Sequence, residues 1–395
     1  RGCANVAGSM GYVRPISFQL VGVVADGRFI ICFLRIMSRM LFVAAHRPGR
    51  SPSQRYRFEQ FMSGWQEHGW RFKYAHLIDA HDDVRFYAPG DLLNKGKIFV
   101  KSWLRRRHHV RLAHHFDIVF VQREAFMTGS TRFERGFKQS GAKLVFDFDD
   151  AIWHMDVSRG NRHLRWLKNP GKTADLIGMA DLVIAGNDYL AEYARHHNDN
   201  VVVIPTVIDT DAYRTQGQGQ GQVTIGWTGS LTSVVHLEPA LPMLRQLQRE
   251  HGDRLCFRVI SDKAFTDPEL KVEGVTWNAK DEAAQIDAID IGIMPLPDDE
   301  WSRGKCGFKG LQYMAMAKPV VLSRVGVNST IVQDGVNGFL ASSEAEWMEK
   351  LTRLIADADL RHRLGTAARR TVEEKYSVKA WQGKYLELFD ALLKN

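Results

Sequence analysis

Short runs of apolar residues alternate with helix-length segments along most of the chain. In the first half, the runs span residues 41–45, 71–77, 118–121, 144–146, 182–185 and 201–204. Apolar runs that do not alternate with polar residues are typical of strands buried on both faces of a parallel sheet that helices cover. Amphipathic segments such as 55–68 and 188–196 separate the runs. This half is predicted to form a doubly wound α/β domain.

The alternation restarts after a low-complexity segment, residues 215–222, which carries no apolar side chain and is typical of a flexible connector. The apolar runs beyond it span residues 223–227, 256–260, 275–277, 291–294 and 319–322, and the helical segments span 237–251, 282–289 and 308–316. We therefore expect a second α/β domain. Two such domains place the carboxyl ends of both sheets around one cleft, where open α/β sheets bind ligands.

The end of the chain predicts an amphipathic helix. Its apolar residues fall on one helical face: Trp381, Tyr385, Leu388, Phe389 and Leu392. Such a face must pack on another element, and a helix that crosses back to the first domain would bury it. The predicted organisation is an N-terminal domain at 40–205, a hinge at 206–222, a C-terminal domain at 223–376 and the crossing helix at 377–395.

Residues 1–39 differ from the rest of the chain. The stretch is rich in glycine and apolar residues, but Asp26 and Arg28 interrupt it, so no uncharged run is long enough for a transmembrane helix. The basic start, apolar run and small-residue cleavage site of a signal peptide are not in order either. We expect an upstream extension that packs poorly and need not belong to the natural protein.

Composition agrees with two globular domains, since the 395 residues are 45% hydrophobic and 25% charged. The four cysteines are Cys3, Cys32, Cys256 and Cys306, and no two of them are close in sequence. This spacing predicts neither a disulfide framework nor a zinc site. It favours a reducing compartment such as the cytoplasm.

The net charge of +8 is partly concentrated in five consecutive basic residues, 105–109. This cluster has three interpretations: a solvated surface patch, a contact with the anionic inner face of a membrane, or a nucleic-acid contact. The sequence contains no zinc finger, RNP motif or other recognition module, so we expect no nucleic-acid partner.

Candidate chemistry is concentrated in residues 293–321, which read as a strand, a polar loop, a helix that begins near Gly307, and another strand. The loop brings Arg303 and Lys305 just before the helix N-terminus, and Lys309 lies in the first turn. Cations there oppose the helix dipole, whereas the backbone N–H groups favour an anion. A bound diphosphate would resolve that conflict; ordinary surface charge is the alternative.

The sequence KGLQYMAMAKPVV at residues 309–321 resembles the donor-binding motif of family-4 glycosyltransferases. Three more segments resemble that family in the same order: IPTVID at 204–209, IGWTGS at 225–230 and QDGVNGFL at 333–340. The resemblance implies a GT-B fold and transfer of a hexose, with retention, from a nucleotide-diphosphate sugar to a glycan or lipid-linked acceptor. It also implies a role in surface polysaccharide or glycoconjugate synthesis, without metal or cofactor.

The resemblance also assigns positions at the donor. Many family members carry two glutamates eight residues apart, and Gly304 and Gln312 stand there in this chain. Gln312 is the candidate ribose contact, and the acidic run 298–300 is the candidate substitute for the first glutamate. The candidate diphosphate contacts are Gly229, Ser230, Arg303, Lys305 and Lys309.

In the first domain, Asp149 and Asp150 follow a predicted strand and are the candidate catalytic residues, which would position the acceptor hydroxyl or the donor sugar. Capping of the next helix is the alternative role. The other candidates for the cleft and the acceptor also follow strands: Arg47, Ser53, Arg55, Arg123 and Asn187.

Two rival functions remain open at this point. One is a nucleotide-sugar 2-epimerase of GT-B fold, which acts without an acceptor. The other is a protein that binds a sugar nucleotide or a glycan without catalysis, because the first glutamate is missing at Gly304.

Overall fold

The computed structural model describes residues 18–25, 28–35, 37–88, 90–154, 169, 171–215 and 221–394, with the backbone alone before residue 37. Two strands, β1 (Phe18–Ala25) and β2 (Arg28–Arg35), pair antiparallel with each other and with no other described strand. Residues 1–17, 26–27 and 36 lie outside the described residues, so poor packing of residues 1–39 stays a prediction.

The first domain is built on a six-stranded parallel sheet. Its strands are β3 (Arg39–Val43), β4 (Arg71–Ala75), β5 (Ile118–Gln122), β6 (Lys143–Phe148), β7 (Leu182–Ala185) and β8 (Val201–Val203), in the order β4-β3-β5-β6-β7-β8. Alternate residues of β3 enter two different cores, with Leu41 and Val43 on one face and Met40 and Phe42 on the other. The predicted burial on both faces is therefore confirmed.

Seven α-helices lie in the described part of this domain. They are α1 (Pro52–Arg57), α2 (Met62–Glu67), α3 (Ala80–Tyr87), α4 (Leu92–Leu112), α5 (Arg132–Lys138), α6 (Lys172–Met179) and α7 (Asp188–Arg195), with 3₁₀ turns at Glu59–Phe61 and Ala113–His115. The single helix expected at residues 55–68 is wrong. Phe58 leaves the helical conformation (φ −145°), and its ring stacks on Phe42 with the centroids 4.6 Å apart.

The second domain repeats the arrangement. Its strands are β9 (Val223–Thr228), β10 (Leu255–Ser261), β11 (Val272–Thr276), β12 (Ile291–Met294), β13 (Val320–Ser323) and β14 (Phe339–Ala341), all parallel, in the order β11-β10-β9-β12-β13-β14. Its helices are α8 (Leu241–His251), α9 (Glu282–Asp287), α10 (Glu300–Arg303), α11 (Phe308–Ala315), α12 (Asn328–Ile331), α13 (Glu344–Ala356) and α14 (Ala358–Lys375), with 3₁₀ turns at Leu231–His236, Glu238–Ala240 and Gly252–Arg254.

The last helix, α15 (Val378–Lys394), packs on the first domain. Tyr385 and Phe389 are fully buried, and their rings lie 5.1 and 5.4 Å from that of Trp65. The start of the predicted hinge is also packed: Ile208 is fully buried, and its N–H donates to the Tyr376 carbonyl at 2.8 Å. The flexible part of that prediction, residues 216–220, lies outside the described residues.

Each sheet has one point where the chain changes direction across it. In the first sheet this point lies between β3 and β5, and in the second between β9 and β12. Crevices at such switch points, at the carboxyl ends of the strands, are where doubly wound folds bind ligands. The loops after these strands are therefore the places to look for a site.

Candidate functional site at the interdomain cleft

Asp149 is the centre of the first-domain side of the cleft. It follows β6, and both of its carboxylate oxygens accept from Ser53 Oγ, at 2.6 and 2.7 Å. Arg123 Nε donates to the same carboxylate at 2.8 Å, and Gln122 Nε2 donates to Ser53 Oγ at 2.6 Å. Burial alone would raise the pKa of Asp149, but the charge and hydrogen bond of Arg123 outweigh it and hold the pKa below its ordinary value. Asp149 is therefore an ionised, fully engaged carboxylate.

Arg123 has a backbone conformation that is rare for a residue with a side chain, φ +62°. Its N–H donates to the Asp147 carbonyl at 2.8 Å, and its guanidinium contacts both Asp149 and Asp150. Strained backbone of this kind is concentrated at functional sites. The conformation turns the guanidinium across the end of β6.

The two domains touch directly at this point. Asn187 Nδ2 donates to the carbonyls of Gly304 and Lys305 at 3.2 and 3.0 Å, and its Oδ1 caps α7. A Cβ built on Gly304 would lie 2.6 Å from the Cβ of Ala151, so a glutamate has no room at this position in this conformation. The cleft is closed between these two loops.

Lys305 and Asp150 form an ion pair across the cleft. Lys305 Nζ lies 3.2 Å from Asp150 Oδ1, and it lies over the ring of Trp301 at 4.6 Å. Cys306 completes the contact, because its thiol donates to the Asp149 carbonyl at 3.2 Å. Cys306 and Cys256 are both free thiols.

Lys309 differs from these paired charges. It lies in the first turn of α11, with Nζ 4.2 Å above the ring of Trp227 at the end of β9. It makes no hydrogen bond or ion pair with any group that the structure describes. Burial, together with the nearby positive charge of Lys305, lowers the pKa of Lys309 to about 7. An unpaired, partly desolvated cation at a helix N-terminus is suited to bind an anion.

Gly229 makes room for this cation. A Cβ at Gly229 would lie 2.8 Å from Lys309 Nζ and 2.5 Å from atoms of Trp227 and Ser233. Ser230, the next residue, occupies the N-cap position of the 3₁₀ turn that follows β9. Because Gly229 has no side chain, the turn brings its backbone close to Lys309 and leaves room for an oxygen-rich ligand such as a diphosphate. The roles of Gly229 and Ser230 in binding that ligand stay predictions.

Arg303 and Lys305 are less free than the sequence suggested. Arg303 is exposed at the end of α10 and pairs with Asp298 at 2.7 Å, while Lys305 pairs with Asp150. An incoming phosphate would have to replace those carboxylates. Their contact with a diphosphate therefore stays a prediction.

Gln312 is enclosed rather than open to the cleft. It is 1% exposed, and its Nε2 donates to Tyr213 Oη at 2.9 Å. Tyr56 Oη of the first domain and Tyr213 Oη of the segment between the domains lie 2.6 Å apart, and both lie within hydrogen-bond distance of Glu282 Oε2 at the start of α9. A ribose contact through Gln312 would need this cluster to rearrange.

The remaining predicted cleft residues form ion pairs. Arg55 Nη2 lies 2.6 Å from Glu282 across the two domains, and Arg47 pairs with Asp83 of α3 at 2.7 Å. Sequence reasoning missed Glu282, Tyr56 and Tyr213. The position of Glu282, at a helix start just after β11, is the signal that could have identified it, whereas nothing in the sequence pairs it with Tyr56.

The cluster 105–109 is solvated only in part, because Arg107 and His108 are exposed. Arg106 is fully buried, and its guanidinium donates to the carbonyls of Ala44, Ala75 and Ala125 at 2.7 to 2.9 Å. His109 is also buried. The interpretation as a solvated patch fails for Arg106 and His109 because residues 105–109 lie on a helix, α4, and residues three apart share its buried face.

Among the described residues, one group of side chains is close enough together to hold a metal ion: Asp79, His81 and Asp82. It lies at the start of α3, and Lys101 already pairs with both aspartates at 2.7 and 2.6 Å. No described helix is long and apolar enough to cross a membrane.

The two facing doubly wound domains and the crossing helix define a GT-B fold, and solved structures agree. Sucrose-phosphate synthase from Thermosynechococcus elongatus matches with TM-score 0.66 at 12% identity, over 90% of this chain and 99% of that one. Anabaena HepE in complex with UDP and glucose matches with TM-score 0.60 at 14% identity (90% and 100%). The UDP-forming α,α-trehalose-phosphate synthase from Burkholderia vietnamiensis matches with TM-score 0.61 at 12% identity (90% and 99%).

A family model describes part of the chain more closely. Residues 222–357, about a third of the chain, match the model "Glycosyl transferases group 1". No curated protein matches the sequence. The second domain therefore has the group 1 glycosyltransferase pattern, and the chain as a whole has the GT-B fold.

Proposed function

We propose that this protein transfers a hexose from a nucleotide-diphosphate sugar to an acceptor hydroxyl, with retention of configuration at the anomeric carbon. The observation that carries the proposal is Lys309, a cation at a helix N-terminus whose positive charge no described group of the protein neutralises. It lies beside the switch point of the domain that matches glycosyl transferases group 1. UDP is the first donor nucleotide to test, because the Anabaena structure contains it.

The diphosphate is the leaving group in this reaction, and its charge grows as the glycosidic bond breaks. Preorganised cations and N–H groups stabilise such developing charge. Lys309 and the free N–H groups at the start of α11 would act on the diphosphate, together with the turn at Gly229. Lys305 and Arg303 would join them after leaving Asp150 and Asp298. We propose that no metal is needed, so a chelator should leave the rate unchanged.

The first domain would hold the acceptor and the sugar. Both oxygens of Asp149 are already engaged, so we assign it the positioning of Ser53 and Arg123, with Arg123 facing the sugar or the acceptor. Asp150 would join the lobes through Lys305 when they close. Because Gly304 and Ala151 are in contact, the lobes must open to admit substrates and then exclude water, a competing acceptor.

The acceptor would be a glycan or a lipid-linked saccharide of a surface polysaccharide pathway. The family resemblance supports this assignment, and no side chain that the structure describes at the cleft identifies the acceptor. A cytoplasmic enzyme could meet such an acceptor at the inner face of the plasma membrane.

A nucleotide panel tests the proposal first. Thermal shifts should be larger with nucleoside diphosphates than with the matching monophosphates, since the second phosphate meets Lys309. The absence of a shift with every nucleotide would exclude the proposal. With the stabilising nucleotide sugar in radiolabelled form, label should move to a saccharide acceptor, and NMR of the product should show the donor's anomeric configuration. Label that stays on the nucleotide as an epimerised sugar, with no acceptor present, would identify an epimerase instead.

A further inference from the structure

Helix α4 exposes apolar side chains along the face that points to solvent. Leu93, Val100 and Leu104 are 84%, 56% and 54% exposed. Their spacing of seven and four residues places them on one line along the helix. Isolated surface hydrophobic residues are ordinary, but an apolar strip on the outward face of a helix marks an interaction surface.

Cations fill the positions between and beyond these residues. Lys97, Arg107 and Arg111 continue the same face, are exposed, and have no anionic partner among the described residues. The whole helix Leu92–Leu112 contains no aspartate or glutamate. The outward face is therefore apolar along its centre and uniformly positive, the composition of a helix that lies in a bilayer interface.

The helix cannot turn this strip inward. Its opposite face is fixed by Arg106, which donates to three backbone carbonyls of the first sheet and its loops, and by the buried Ile98. The preceding helix, α3, also exposes apolar side chains, since Val84 and Tyr87 are 75% and 56% exposed. The exposed strip is thus a rigid feature of the domain.

We propose that this α3–α4 face docks on the surface of a membrane that contains anionic lipid. Charge complementarity selects this occupant: anionic headgroups attract Lys97, Arg107 and Arg111, and the leucines enter the headgroup boundary. A second copy of the chain, paired through the same face, would bring cations against cations. The proposal goes beyond the glycosyl transfer proposed above and does not depend on it.

The docking face is connected to the cleft. Asp83 of α3 accepts from Arg47 at 2.7 Å and from Arg50 at 2.8 Å, and those arginines lie in the loop that leads to Ser53. A membrane-bound protein would therefore hold the first-domain side of the cleft beside the bilayer.

Vesicle co-sedimentation tests the proposal with the full chain. Binding is expected to vesicles of phosphatidylcholine with about 30 mol% phosphatidylglycerol, and it should weaken with added salt. The double variant Leu93→Asp/Val100→Asp should reduce the partition coefficient at least about tenfold, since each substitution places a charge in the interface. Lys97→Glu/Arg111→Glu should reduce it by a similar factor, at about fivefold for each cation removed.

Matched controls lie on the second domain. Val336→Asp replaces an apolar residue that is 49% exposed, and Arg363→Glu reverses an exposed cation on α14. Both should bind vesicles like the unchanged protein, and all variants should keep its circular dichroism and nucleotide-induced thermal shift. Failure of the unchanged protein to bind anionic vesicles would overturn the proposal. So would unchanged binding of Leu93→Asp/Val100→Asp, or a dimer in light scattering that this variant dissociates.

Discussion

In the first domain the charged side chains at the cleft are matched with one another, whereas Lys309 in the second domain is not. Asp149 receives hydrogen bonds from Ser53 and Arg123, and the deeper pair of Arg57 and Asp147 is fully buried at 2.5 Å. Among the described residues, Lys309 contacts the ring of Trp227 and makes no ion pair. Charged side chains that pair with each other inside the protein hold its segments in place. A buried charge without a partner in the protein either binds a ligand or lowers the stability of the fold.

The largest effect is expected where a matched pair is broken. Arg57→Met leaves the Asp147 carboxylate uncompensated in the core, so the free energy of unfolding should fall by about 3–5 kcal/mol. Arg57→Met/Asp147→Leu should recover much of that loss, because it removes both charges. Urea denaturation measures both. The exposed pair of Arg370 with Glu374 supplies the control, since Arg370→Met should leave stability unchanged.

A substitution of Asp149, at the cleft edge of the first domain, should lower the transfer activity more than the stability of the protein. Asp149→Asn removes the charge that holds Arg123 and Ser53, and the transfer rate should fall about a hundredfold, in the range of a lost positioning or acid–base group. The nucleotide-induced thermal shift should be unchanged, because Asp149 lies on the other side of the cleft from Lys309. Loss of nucleotide binding in this variant would contradict the division of roles between the two domains.

The pH dependence of nucleotide binding sharpens the comparison further. The pKa of Lys309 is lowered to about 7 in the free protein, and a bound diphosphate would favour the protonated form. Binding above pH 7 should therefore take up a proton, and the affinity for UDP should fall by up to about tenfold per pH unit. Calorimetry in buffers of different ionisation enthalpy measures the uptake. Affinity that does not change between pH 7 and 9 would argue against Lys309 as the phosphate ligand.

Closure of the cleft should be sensitive to one glycine. Gly304→Val places side-chain atoms against Ala151 and should hinder contact of the lobes, lowering the transfer rate roughly tenfold. UDP affinity should change little, because Lys309 is untouched. Gly96→Val, in open surface on α4, is a control for a glycine-to-valine change. An unaltered transfer rate in Gly304→Val would show that closure at this contact is not required.

The sequence predicted the architecture well because buried parallel strands leave a simple signal. The runs at 182–185 and 291–294 coincide with β7 and β12, and the crossing helix was visible from the spacing of Tyr385 and Phe389. The position of Lys309 could also be predicted, because the donor-binding motif at residues 309–321 begins in the first turn of α11. The local sequence pattern was sufficient to predict features that depend on neighbouring residues alone.

Features that depend on distant partners could not be predicted. Ser53 and Asp149 are 96 positions apart, and Tyr56 and Glu282 are 226 apart, so no spacing pairs them. All three interpretations of the cluster at 105–109 placed its charges at the surface, because the charge is visible in the sequence, whereas the carbonyls that surround Arg106 are not. Packing against other segments, rather than composition, decided the role of each of these residues.

The most direct test of the central claim is the stability of Lys309→Met with and without UDP. Below about pH 7 the free protein carries the full cost of a charged, desolvated lysine, and this cost disappears as the pH rises through 7 toward 10.5. The variant without UDP should therefore be at least as stable as the unchanged protein at pH 6.5. UDP at about a hundred times its Kd should stabilise the unchanged protein by about 2.7 kcal/mol. The same concentration should stabilise the variant far less, because its affinity for UDP is expected to fall roughly tenfold to a hundredfold. A variant that loses several kcal/mol without ligand, or that UDP stabilises equally, would contradict the account.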